Sequence, residues 1–90
     1  MEKIDLVHKK IGENVKKLRK EKSLSQLDLA HLIGHKSVSI ISLAEIYHKK
    51  QHFNIKHLVK LSEVLDVEIC EFFYGVDEII KDNNLFNSHN

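Results

Sequence analysis

The side chains here that could do chemistry are seven histidines, one cysteine, a scatter of serines, and thirteen lysines with a single arginine. His31 and His35 stand four apart, the spacing of two ligands on one helical face, but Gly34 falls between them where a helix should end. His48, His52 and His57 fall across a polar stretch and a helix start. A zinc site wants three or four defined N, S or O ligands, so neither a metal nor a cofactor is expected. Imidazoles beside a polyanion would still strengthen its binding below about pH 6.5. Cys70 lies in the apolar run ICEFF and is expected as a packed thiol. No GxSxG elbow and no phosphate-cradling glycine loop is present, and glycine occurs only three times. No catalytic residue is assigned, and an enzyme is not expected.

What remains is positive charge and hydroxyls. Net charge is only +1, but it is unevenly spread. Residues 1–60 hold thirteen Lys/Arg against six acids, and residues 61–90 hold one Lys against seven acids. The first part is therefore at +7 and the second at −6. Such polarity can present a basic face to a polyanion. Phosphates are held by cations and by backbone N–H groups at helix starts. Lys36, Lys49 and Lys50 are the first candidates, with Lys16, Lys17 and Lys20 behind them. Ser37, Ser39 and Ser42 can bond to several bases, and Val38 can pack on a thymine methyl. Arg, Asn and Gln, the best base readers, are missing from this set, so direct readout is expected to be modest and helped by DNA shape.

These residues need short helices to present them. A first helix over 4–21 is predicted from Ile4, Val7, Ile11, Val15 and Leu18, spaced by threes and fours. Gly12 in its middle costs about 1 kcal/mol relative to Ala and would permit a close helix crossing. Ser25 caps a second helix, with Asp28 three residues on as in a capping box. Gly34 follows its last apolar residue, where a left-handed stop is wanted. Ser37 or Ser39 caps a third helix that runs to about residue 47. Two small helices joined by a glycine-containing turn form a helix-turn-helix, whose second helix fits the major groove. Either Ile41 and Ala44 face inward in that helix, or Ile40 and Leu43 do. The stretch HKKQH reads as a loop. Asn54 caps a fourth helix, with Phe53 and Leu58 as a hydrophobic staple. Its inner face is expected to carry Ile55, Leu58, Val59, Ser62 and Leu65, and Asp66 stands at a left-handed stop. A fifth short helix holds Ile69, Cys70, Phe72 and Phe73.

Ninety residues with 42% hydrophobic content and no proline suit one small all-helical domain. A helix-turn-helix domain over 1–76 is expected, followed by a tail over 77–90 that is either disordered or part of a dimer interface. Ile79, Ile80, Leu85 and Phe86 make that tail more apolar than an inert one. The N-terminus has no signal-peptide run, and no stretch approaches the ~18–20 apolar residues of a membrane span. With a single cysteine, these features point to a cytoplasmic protein that keeps off membranes.

The opening SQLDLAHLIG, a serine-rich helix ending at Glu45, and the close HLVKLSEVLDVEICEFF together resemble the Cro/phage-repressor, or XRE-type, helix-turn-helix domain. The likeness covers about 11–73. It implies an all-α, compact five-helix bundle, often a homodimer, acting on transcription in bacteria or phages. It implies that Gln26 braces the phosphate backbone and the third helix. It implies an internal ion pair between Arg19 and Glu45, and a small residue at Ala30 for close packing. The turn after Gly34 is one residue longer than the family pattern. The loop after Glu45 is about two residues longer and lacks the usual glycine. The expected function is a sequence-specific, repressor-type regulator that places its third helix in the major groove of double-stranded DNA. The expected DNA-binding set is Gln26, Lys36, Ser37, Val38, Ser39, Ser42, Lys49 and Lys50. The alternative is a protein-interaction module of the same fold, such as an antitoxin that binds a toxin.

Overall fold

In the computed structural model, which describes residues 1–82, apolar spacing and caps produce five α-helices and no strand among the described residues. These are α1 (Lys3–Glu21), α2 (Gln26–Leu32), α3 (Ser39–Glu45), α4 (Ile55–Leu65) and α5 (Val76–Lys81). Short 3-10 segments at His48–Lys50 and Ile69–Phe73 join the later helices.

Helix α1 is the spine. Its Ile11 and Val15 are buried, with Val7 and Leu18 packed beside them. Ile4 continues the stripe but lies beyond the core and is exposed. Gly12 sits where α1 meets the end of α3. A Cβ there would stand 2.5 Å from the Ala44 carbonyl oxygen and 2.7 Å from that of Glu45. Only glycine allows this approach. On the far side, the Asn14 amide donates to the carbonyls of Phe72 (2.8 Å) and Tyr74 (2.9 Å), fastening the second 3-10 segment to α1.

Helix α4 starts at the predicted Asn54, whose side chain accepts from the His57 N–H at 2.7 Å. It ends at Asp66, in the left-handed region at φ 53°. Phe53 and Leu58, on either side of the cap, both join the core. Leu58 and Leu65 of the expected inner face are buried, and Leu61 joins them in place of Ile55 and Val59. One residue turns a helix by about 100°, so a stripe centred between Leu58 and Leu61 leaves Val59 outward. Ile55, in the first turn, is exposed as well, and Ser62 is half-buried, its hydroxyl donating to the Val67 carbonyl.

Three further expectations change. The segment over 69–73 is a 3-10 helix, not an α-helix, so every third residue shares a face. Phe72 is buried in it and Phe73 packs against the core, while Cys70 is an exposed thiol and not the expected packed one. The loop over 48–52 contains a 3-10 turn. Residues 77–81, at the start of the expected tail, continue from Val76 as α5, which packs on α1 through the buried Val76. The Lys3 ammonium donates to the Ile80 carbonyl at 2.6 Å, at the C-terminal end of α5 where a cation is favoured. The expectation for Leu85 and Phe86 lies outside the described residues.

Candidate nucleic-acid interface

The turn between α2 and α3 is built locally. Ser25 accepts from the Asp28 N–H at 2.9 Å, and the Asp28 carboxylate accepts from the Ser25 N–H at 3.1 Å. Helix α2 ends in a Schellman arrangement: the Gly34 N–H donates to the His31 carbonyl, and the His35 N–H to the Ala30 carbonyl. Gly34 has φ 87°, which suits glycine. The Ser37 hydroxyl accepts from the Ser39 N–H at 3.2 Å and shares a 2.8 Å bond with the Ser39 hydroxyl, which steadies the turn, but the N-cap of α3 is Val38, with no side-chain cap, and not the expected serine.

Burial decides the orientation of α3. Ile41, Ala44 and Glu45 point into the core, while Ile40 and Leu43 are half-buried. Lys36, Ser37, Val38 and Ser39 are exposed together at its start, and Ser42 is half-buried one turn on. Phosphate-binding and base-reading candidates thus share one exposed end of a helix.

The other end of α3 is anchored by charge. The Arg19 guanidinium donates to Glu45 through Nε (2.7 Å to Oε2) and Nη2 (3.1 Å to Oε1), and its Nη1 donates to the Leu24 carbonyl at 2.8 Å. The Gln26 amide donates to Glu45 Oε1 at 2.9 Å. Arg19 and Glu45 are both buried. This paired fork joins α1, the start of α2 and the end of α3 at one carboxylate, and its geometry is directional. Gln26 thereby braces α3 from its half-buried place at the start of α2.

Lys49 and Lys50 lie on the segment after α3 and are exposed. Their backbones, like that of Tyr47, are left-handed, at φ 50°, 66° and 55°. These strained residues stand where the family pattern has glycine. Contacts to α1 hold them. The Tyr47 hydroxyl donates to Asp5 Oδ1 at 2.6 Å, and the Lys50 ammonium stands 4.0 Å from the same oxygen. That hydrogen bond from Tyr47 holds the Asp5 carboxyl below its ordinary value, and acceptance by Asp5 pushes the Tyr47 phenol up to about 12. The His8 and His52 rings stack at 3.8 Å. Sequence reasoning missed Asp5, His8 and Tyr47, which read as ordinary polar positions; the missing glycine was the available signal. Lys16 is half-buried, and Lys17 and Lys20 are exposed along α1.

The histidines do not act as one group. Burial holds His8 and His57 below the ordinary imidazole value, so both resist the charge that would attract a polyanion. Among the described residues, no three His, Cys, Asp or Glu side chains converge on a metal-holding position. No helix among them is long and apolar enough to cross a membrane.

A family model described as helix-turn-helix matches residues 15–72, from the middle of α1 to the second 3-10 segment. The chain belongs to the XRE-type helix-turn-helix family. It is therefore a DNA-binding transcription regulator of that type. A solved relative is the restriction-modification controller protein C.AhdI from Aeromonas hydrophila. It is 34% identical, with a TM-score of 0.64, over 78% of this chain and 98% of that one. No curated protein matches the sequence.

Proposed function

We propose that this helix-turn-helix protein is a small cytoplasmic regulator of repressor type. It binds a near-palindromic operator as a homodimer and sets the start of α3 in the major groove. The observation that carries the reading is the joint exposure of Lys36, Ser37, Val38 and Ser39 at the entry to α3, a helix whose other end is locked by Arg19 and Gln26. A helix fixed at its rear and bare at its front can read a groove without rearranging. Lys36, Lys49 and Lys50 supply phosphate contacts, which position the protein, and Ser37, Val38, Ser39 and Ser42 meet base edges. The likeness to a restriction-modification controller protein supports control of restriction–modification genes as the cellular role.

A dimer would space its two third helices about 34–36 Å apart on one DNA face. Enrichment of random duplexes on the purified protein tests the reading. A recovered palindrome with half-sites about 10 base pairs apart is expected. Absence of any enriched sequence would contradict it. The exposed Val38 and Ile46 favour a second reading, in which α3 docks on a protein such as a toxin. A stoichiometric protein partner that survives nuclease treatment would select that one.

A further inference from the structure

One half-buried titratable group has no part in DNA contact. His8, on α1, has its Nδ1 buried with no hydrogen-bond partner. Its ring stacks on that of His52 at 3.8 Å and 23°, and on that of Tyr47 at 5.8 Å. His52 and Tyr47 bracket the segment that carries the left-handed Lys49 and Lys50. We propose that segment 47–52 is a proton-operated latch: the stacked His8–His52 pair holds it on α1, and protonation there releases its 49–52 half.

Three observations converge. An imidazolium carries N–H on both nitrogens, and His8 would bury one of them without an acceptor, which is costly. Two charged rings stacked at 3.8 Å repel each other, so the second proton is opposed by the first. The segment itself is strained, and strained left-handed residues persist only where surrounding contacts over-determine them. Loss of the stack removes one of those contacts.

The groups facing the pair set the direction. Asp5, on α1, favours a charged His8, but burial and the neighbouring His52 outweigh it and hold His8 below its ordinary value. Lys50 and Tyr47 face Asp5 from the loop, and His57, at the start of α4, feels His52 in turn. The His52 ring also holds the Lys50 carbonyl through Nδ1 at 2.9 Å. Because Asp5 titrates below its ordinary value, the Tyr47–Asp5 bond outlasts the histidine stack as pH falls. Release is therefore confined to the 49–52 half, the part that carries both lysines. The consequence for DNA rests on the phosphate role proposed above for Lys49 and Lys50: release costs that arm its order.

The test needs no DNA, so its failure and the failure of the DNA reading are separable. The full chain, with histidine rings labelled for NMR, is titrated from pH 7.5 to 5.5. The His8 ring is expected to titrate with a midpoint below about 6.5. Amide protection at Lys50 and Gln51, which donate to the Tyr47 and His48 carbonyls, should fall by roughly tenfold across that range. Protection at Ser42 in α3 should hold. In H8F the ring remains but has no proton to gain, and the loop amides should keep their protection to pH 5.5. In H52F the ring–ring repulsion is gone but His8 still titrates, so the loop amides should respond less than in the native chain, which covers a poorly folded H8F. Loop amides in the native chain that ignore pH would overturn the latch. So would loop amides that respond equally in both variants.

Discussion

Gly12 and Gly34 are needed for different physical reasons, and one substitution separates them. Gly34 sits at φ 87° with open space around its Cβ position, so Gly34→Ala costs backbone strain alone. About 1 kcal/mol is expected in urea unfolding. At Gly12 the obstacles are two backbone carbonyls of α3, which cannot swing aside. Gly12→Ala gains about 1 kcal/mol of helix propensity but must push α1 off α3, and a net loss of about 2–3 kcal/mol is expected. Glu45 is the third such position. Glu45→Ala leaves the buried Arg19 unpaired and should cost about 3–5 kcal/mol. The double change R19M/E45M removes both charges and should cost less than the single one. Equal losses would mean that charge burial is not the cause. Local signals in the sequence gave away Ser25, Gly34, Asn54 and Asp66, because a cap acts within a few residues. The Arg19–Glu45 pair spans 26 residues, so only the family resemblance pointed to it. The exposure of Cys70 was not legible, because an apolar run without polar alternation does not show which of its residues faces out.

At the scale of elements, the weak points are the short ones. Helix α3 has seven residues, too few to stand alone, and takes its stability from packing and from the Glu45 anchor. Helix α4 depends on a cap that is also a titratable device: the Asn54 N–H donates to His57 Nδ1 at 3.1 Å, and a protonated ring cannot accept. With His8 and His57 both lower when folded, the unfolded chain binds more protons as pH drops below about 6.5. Stability is thus full above that value and should fall as pH drops through the folded midpoints. A urea midpoint that is flat from pH 7.5 to 5.5 would contradict this. Asp5 and Asp28, also lowered, keep their contribution to more acidic pH and lose it last. Replacing Asn54 by Ala should cost about 1 kcal/mol at pH 7.5. The starts of α2 and α4 were legible because caps and apolar spacing agreed there. The end of the chain was not. Apolar residues at 69, 72, 73, 76, 79 and 80 fit several short-helix registers, and packing on α1, through Asn14 and Val76, selects one.

For the molecule as a whole, charge follows the chain. The basic part builds α1, the helix-turn-helix and the Lys49–Lys50 arm; the acidic part supplies the end of α4, the second 3-10 segment and α5. The acidic second 3-10 segment and α5 pack on α1, so the lysines left clear of them are those of the helix-turn-helix and the Lys49–Lys50 arm. The central claim is that the exposed start of α3 and its flanking lysines hold duplex DNA. Salt dependence measures it most directly. Each neutralised phosphate contributes a slope of about −0.9 in log K against log salt. A mobility-shift titration should give a steep negative slope for the native chain. In K36A, K49A and K50A the slope should shrink by about one each. A slope near zero, or three variants that keep the native slope, would contradict it.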